Sequence, residues 1–443
     1  GHDGVLTLLL RLGKPGIDSK DSRDRTVLWW ATKNGCERAV RWLLDSDPAF
    51  VNSKGKDNQS LLYIAVEQGT EAVVVLLLDE GADVNAQGGY YPLQAASAKG
   101  HKEIATLLLD KGADVNAQGG HFGNALQAAS WKGDNEVATL LLDKGADVNA
   151  QGGEYGNALQ AASYQGHKEV VTLLLDKGAD VNAQGGIYGN ALQAASERGH
   201  KEMATLLLDK GADVNAQGGH FGNALQAASW KGDNEVATLL LDKGVDVNAQ
   251  GGQFGNALQA ASVRGHEDMA TLLLDKGADV NAQGGHFGNA LQAASARGDK
   301  EIATLLLDKG VDVNAQGGQF GNALQAASVR GHKEVVTLLL DKGADVNAQG
   351  GAYGNALQAA SAEGHKEMAT LLLDKGADVN AQGGAYGNAL QAASAEGHKE
   401  MATLLLDKGA DVNAQGGHFG NALQAASARG DKEMATLLQK KGA

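Results

Sequence analysis

The octet GNALQAAS occupies residues 123–130 and returns unchanged from 156, 189, 222, 255, 288, 321, 354, 387 and 420, every step being 33 residues. A string kept at one fixed interval, with variation only beside it, marks a repeat architecture in which each unit buries a face against its neighbours. This also reconciles the length with folding. A chain of 443 residues exceeds the ~250–300 at which a single core stops growing, whereas an array lengthens without enlarging any core.

One copy, from Gly123 to Tyr155, shows what the unit is. Asn124 is a good N-cap, because its side chain can accept a free helix N–H. The spacing predicts a short helix A over about 125–132, ended by Gly133. Asp134, Asn135 and Glu136 then put capping and acidic residues at the start of a second helix. Val137, Leu140 and Leu141 follow at i, i+3, i+4, with Ala138 and Leu142 widening the stripe. Lys144-Gly145 closes helix B, predicted over about 135–144. The remainder, to Tyr155, is a glycine-punctuated hairpin in which Gly152-Gly153 permits positive φ. Helix A is lined with alanine and helix B with leucine. Thin helices beside bulky ones imply a curved solenoid with helix A and the hairpins on the inside. Thirteen units at the usual helix spacing would span about 100–130 Å.

The ends differ from the middle. Before residue 86 the copies are looser, with helix A segments at "RTVLWWATKNG" (25–35) and "QSLLYIAVEQG" (59–69). Residues 1–85 therefore form divergent N-terminal repeats and 86–443 regular ones. The opening "GHDGVLTLLLRLGK" (1–14) reads as a helix B without its helix A, a repeat cut short, with Leu8, Leu9 and Leu10 partly uncovered. At the other end Gln439 replaces the third leucine of helix B, and Lys440 and Lys441 follow. That is expected of a polar terminal cap.

The stretch "GHKEVVTLLLDKGADVNAQ" (166–184) resembles the ankyrin repeat, whose signature continues through T-P-L-H before the first helix. Here that element reads Asn124-Ala125-Leu126-Gln127. Asn can replace Thr as cap, Ala replaces Pro at the first helical position, and Gln can donate and accept as His does. The resemblance covers nearly the whole chain. It implies an all-α ankyrin-repeat solenoid, a curved superhelix with a non-catalytic, protein-binding role. The near-identical NALQAAS copies are also similar to fungal ankyrin arrays that follow a NACHT-type NTPase in NLR-like receptors, which implies the ligand-recognition part of such a receptor. A free-standing adaptor assembling client proteins, or a mechanical solenoid, are the alternatives.

Three places vary between copies. The residue after Gly-Gly reads His121, Glu154, Ile187, His220, Gln253, His286, Gln319, Ala352, Ala385 and His418. The pair after AAS includes Trp131-Lys132, Tyr164, Glu197-Arg198, Trp230-Lys231, Val263-Arg264 and Val329. The turn residue alternates between Asp (Asp134) and His (His167). These positions are predicted to gather on the concave side as a protein-binding surface; the alternative is drift at exposed sites. Large aromatics such as Trp131, Tyr164 and Trp230 favour contact, though they could instead cover the turn. The next tip residue is always a ring, from Phe122 through Tyr155, Tyr188, Phe221, Phe254, Phe287, Phe320, Tyr353 and Tyr386 to Phe419. A structural ladder or direct contact would each explain it.

Other chemistries are disfavoured. Asp and Glu outnumber Lys and Arg 53 to 38, for a net charge of −15, and no basic run occurs. Neither nucleic acid nor an anionic membrane is an expected partner. No 18-residue apolar run suggests a membrane span, and no signal peptide opens the chain. A single cysteine, Cys36, permits no internal disulfide and fits a reducing, cytoplasmic compartment. The twelve histidines sit at turns and tips without metal-ligand spacing. No nucleophile elbow or phosphate loop appears, so neither enzyme activity nor a metal or cofactor is expected. Asp110, Asp114 and Lys111 are expected to pair locally and solvate loops. The isolated array is expected to be a monomer.

Overall fold

Each octet starts its helix with the same asparagine cap, and in six of the ten the glutamine three residues on completes a capping box. Asn124 is extended (φ −142°, ψ 179°), and its Oδ1 accepts the Gln127 N–H at 2.8 Å. The Gln127 Oε1 accepts the Asn124 N–H at 3.0 Å in return, a capping box built from Asn and Gln. Helix A of this copy runs Ala125–Lys132 and stops at Gly133, which takes φ 80°. Helix B runs Asn135–Asp143, its N-terminus capped by Asp134.

The computed structural model describes residues 20–21, 25–55 and 58–443. The opening segment 1–14, with Leu8, Leu9 and Leu10, lies outside these residues. Among the described residues there are twenty-six α-helices in thirteen A–B pairs and one 3-10 turn, Pro48–Asn52. No strand occurs among them; each regular hairpin contributes at most one antiparallel bridge, as at Gly152↔Gly156. The all-α helix–turn–helix–hairpin reading holds. The chain divides into two compact units, Gly1–Gly219 and His220–Ala443, and each repeats the same internal plan.

Burial explains why the octet is invariant. In the first regular copy every one of its eight residues is buried. Leu126 is the large core side chain, while Ala128 and Ala129 let the A helices of adjacent copies approach closely. Gly123 has φ 94°, and a Cβ there would collide with the Gln127 Oε1 of the capping box. Helix B uses a narrower seam than its leucine pattern suggests. Val137, Ala138 and Leu141 are fully buried, whereas Leu140 and Leu142 remain half-buried. The cause is that neighbouring B helices contact one another far less than neighbouring A helices do.

Within each unit two side-chain amides, one buried and one exposed, bind a copy to the next. The Gln127 Nε2 donates to Ala150 O (3.1 Å) and Gly156 O (3.0 Å), both in the following hairpin. The same carboxamide recurs at Gln94, Gln160, Gln226, Gln259, Gln292, Gln325, Gln358 and Gln391. On the loop after helix B, Asn116 Nδ2 donates to Gly145 O, and its Oδ1 accepts the Asp147 N–H at 2.8 Å. The lysines and aspartates at the end of helix B pair between copies: Lys111 meets Asp79 and Lys144 meets Asp110, at 2.9 and 2.8 Å. Of Asp110, Asp114 and Lys111, Asp114 is the one that bonds locally, its carboxylate accepting the Asn116 N–H. The exposed ion pairs contribute little each; the buried carboxamide matters more, because its loss leaves acceptors unsatisfied.

Gln358 donates to Ala381 O and Gly387 O, both at 3.0 Å. Gln358→Ala is therefore expected to destabilise its unit by about 2–4 kcal/mol in urea unfolding. Gln424, whose side chain is exposed in the last copy, is the control: Gln424→Ala is expected to cost under about 1 kcal/mol.

Candidate functional site

The hairpin tips are held by main chain. Gly152 N donates to Gly156 O at 2.7 Å within one tip. Between tips, Glu154 N donates to His121 O at 2.9 Å and Ile187 N to Glu154 O at 3.1 Å. In the second unit, Gln253 N bonds His220 O, His286 N bonds Gln253 O, and Gln319 N bonds His286 O, at 3.0–3.2 Å. The backbone of the variable residue is thus fixed while its side chain is free to differ. The paired glycines serve this approach as well as the turn: a Cβ on Gly153 (φ 62°) would fall on the carbonyl of Phe122 in the preceding tip.

The predicted tip residues His121, Glu154, Ile187, His220, Gln253, His286, Gln319 and His418 are all exposed. Neighbours can interact: His121 Nδ1 lies 2.6 Å from Glu154 Oε2. Lys132, Arg198, Lys231 and Arg264 at the ends of helix A are exposed too, whereas Glu197 and Val263 are half-buried. Val329 is buried and packs with Phe320, Ala326 and Ala359, so it belongs to the interior.

The constant rings pack against one another along each unit. Tyr155–Tyr188, Phe221–Phe254, Phe287–Phe320 and Tyr353–Tyr386 lie 6.1–6.4 Å apart, and before the series begins the helix A ring of Tyr63 stacks on Tyr90 at 6.3 Å. Phe254 is 2% exposed and Phe320 5%, so these rings are packing elements. Trp131, Tyr164 and Trp230 are half-buried against them. Tyr164 stacks on Tyr188 at 4.5 Å and Trp230 on Phe254 at 4.4 Å. Trp131 instead tilts against its own Phe122 and donates its Nε1–H to Tyr155 Oη at 3.0 Å. Where the pair after AAS ends in Glu with alanine before it, the tip ring is Tyr and its hydroxyl donates to that Glu: Tyr353 to Glu363 and Tyr386 to Glu396, at 3.0 and 2.7 Å. Burial, then the neighbouring carboxylate, pushes both phenols up, so they remain donors.

The third variable place is structural. His167 Nε2 lies 3.1 Å from Trp131 O, and His200, His266, His332, His365 and His398 reach the equivalent carbonyl at the end of the preceding helix A. Copies with Asp use it to cap their own helix B, as Asp134 and Asp299 do. In two of these an arginine takes over the carbonyl: Arg297 Nη1 on Val263 O and Arg429 Nη1 on Ala395 O. The His/Asp alternation expected to join the binding surface is therefore an exchange of capping schemes. The first unit also holds a groove that comparing regular copies does not reveal, because it spans the boundary between the divergent copies and the regular ones. Tyr63, Glu67 and Tyr90 line it beside Phe122 and Trp131; the rings at 63 and 90 in "LLYIAV" and "GGYYP" were its signal. Among the described residues no group of three or more His, Cys, Asp or Glu is placed to hold a metal ion.

Burial holds His200 and His266 below their ordinary 6.5. The unfolded chain then takes up protons first, so stability is complete above about pH 7 and falls as pH drops through the unfolded value. The melting temperature is expected to be lower at pH 5.5 than at pH 7.5. The double variant His200→Asp/His266→Asp, which installs the array's own alternative cap, is expected to flatten that slope.

A family model described as ankyrin repeats (3 copies) matches in overlapping windows at 1–88, 85–152, 126–218, 159–251, 216–284, 258–350, 291–383 and 324–416. The chain is 40% identical over 79 residues to the serine/threonine-protein kinase VIK of Arabidopsis thaliana, covering 18% of each. It is 34% identical over 102 residues to the transient receptor potential cation channel subfamily A member 1 homolog of Caenorhabditis elegans, covering 22% of this chain and 8% of that one. The chain thus spans less than a fifth of either relative. With helix pairs, hairpins and family model in agreement, the chain belongs to the ankyrin-repeat family.

Proposed function

We propose that this array is a non-catalytic scaffold that binds a protein partner through its hairpin tips and the exposed ends of helix A. Ankyrin repeats generally mediate protein–protein binding. The observation that carries the reading here is the division of labour at the tips: main-chain bonds between successive tips hold the backbone, and the exposed side chains differ from copy to copy. Such a surface can change its specificity without changing its fold. The matched relatives, named as a kinase and a cation channel, support an array that serves as one part of a larger protein.

The finer reading is the ligand-recognition segment of a fungal NLR-like receptor, acting in the cytoplasm as a monomeric array. The resemblance of the NALQAAS copies to such arrays supports it, and an NTPase domain encoded directly upstream of residue 1 would be its natural companion. The looser copies of 1–85 would then join that domain to the regular array of 86–443. Binding at these sites needs no cofactor and involves no nucleic acid or membrane.

The test replaces His121, Glu154, Ile187, His220, Gln253, His286 and Gln319 with alanine together. Because all seven side chains are exposed, the melting temperature is expected to move by only a few degrees. Proteins that co-purify with the native array from its own cells are expected to be lost. Retention of the same set at full yield contradicts binding through the tips.

A further inference from the structure

The first unit contains an open groove of about 300 Å³ between the A helices and tips of three successive copies. Its walls are Tyr63, Tyr90, Phe122 and Trp131, and Glu67 supplies a carboxylate. Tyr90 lies 6.3 Å from Tyr63 and 6.4 Å from Phe122, and Phe122 lies 5.4 Å from Trp131. The space exists because Ala98 stands where the next copy has Trp131. Trp131 fills part of it by leaning towards Phe122 instead of stacking on the next ring. Lys99 also borders the groove and is exposed, so its stem can cover apolar wall while its ammonium stays in water.

Aromatic faces carry a negative quadrupole and attract cations, most strongly at Trp and in partly desolvated sites. This chain uses that attraction repeatedly on itself. The Arg198 guanidinium lies 4.8 Å from the Tyr164 ring centre and that of Arg264 4.6 Å from Trp230, each arginine coming from the copy after the ring. Arg25 lies 4.3 Å from the Trp30 ring centre. At Trp131 the corresponding residue of the next copy is the neutral Gln165. The third large ring of the series therefore receives no guanidinium from that position, and it faces a groove holding a carboxylate. Burial and then the nearby Glu67 carboxylate push the Tyr63 hydroxyl up to about 12, so the phenol stays neutral and protonated beside that carboxylate.

From these observations we infer that the groove at Tyr63, Glu67, Tyr90, Phe122 and Trp131 binds an arginine side chain presented by the protein partner. The rings take the guanidinium face, and Glu67 takes its N–H edge. The net charge of −15 favours approach of such a cationic segment. The inference rests on the protein-binding reading above and adds the chemistry of one contact.

The test uses the full chain labelled with 5-fluorotryptophan. Its five tryptophans give separate fluorine resonances, and Trp131→Phe assigns the one required. The probes are acetyl-Gly-Arg-Gly-amide and the same peptide with citrulline, which keeps the shape of arginine and lacks its charge. The arginine peptide is expected to move the Trp131 resonance saturably and to leave Trp230, already covered by Arg264, in place. Citrulline is expected to bind about fivefold or more weakly, and Glu67→Gln to weaken the arginine peptide about threefold or more with an unchanged melting temperature. Equal binding of the two peptides, a stationary Trp131 resonance, or indifference to Glu67→Gln overturns the inference. None of those results touches tip-mediated binding, which the alanine exchange of the tips reads separately.

Discussion

A buried primary amide is the constraint on which the array depends. The carboxamide of Gln127 has one acceptor and two donor hydrogens, and each is assigned. The oxygen closes the capping box with Asn124, and the nitrogen reaches two carbonyls of the following copy. Start of helix and attachment to the neighbour are thereby one event. Moving a copy out of register would strand the amide and the carbonyls it serves in a water-excluded place, at a cost of about 1–3 kcal/mol for each group. Near-identical copies otherwise invite misdocking. A directional polar contact specifies register where alanine-on-alanine packing, indifferent to small shifts, cannot.

Once the amide and the main-chain bonds between tips secure the stack, side chains at the tips carry little structural duty. That is why His, Glu, Ile, Gln and Ala all occur there on one backbone geometry. The ring beside most tips is different, because it packs on neighbouring rings, as Phe221 does on Phe254, and so stays aromatic. Variation at the end of helix A lies between these extremes. Val329 is interior, Glu363 and Glu396 accept tyrosine hydroxyls, and Lys132 and Arg198 are exposed. On the proposed reading, the binding surface is a subset of the variable residues, selected by exposure.

Much of this was legible in the sequence, and the limits were physical. Helix A over 125–132, its Asn124 cap and its Gly133 stop follow from local chemistry, and local chemistry is what a 33-residue period displays most clearly. Gln127 could be read as a donor and acceptor, but the two carbonyls it serves lie 23 and 29 residues further on, a distance no local pattern encodes. The helix B stripe was expected to bury Leu140 and Leu142. Neighbouring B helices stand too far apart to cover them. The His/Asp alternation looked like surface variety because its partner carbonyl, 36 residues away in the preceding copy, is invisible without the stack. The groove at Trp131 depends on a missing side chain at Ala98, and an absence becomes visible only when three copies are seen together.

The most direct measurement of this account is an unfolding series on arrays holding three to seven identical copies of the unit from Gly123 to Tyr155. Fitting them to a nearest-neighbour model separates the intrinsic stability of a copy from the interface between copies. The account predicts an unfavourable intrinsic term and a strongly favourable interface. With Gln127→Ala in every copy, the interface should weaken by about 2–4 kcal/mol and the intrinsic term should change far less. A loss confined to the intrinsic term, with the interface intact, would contradict it.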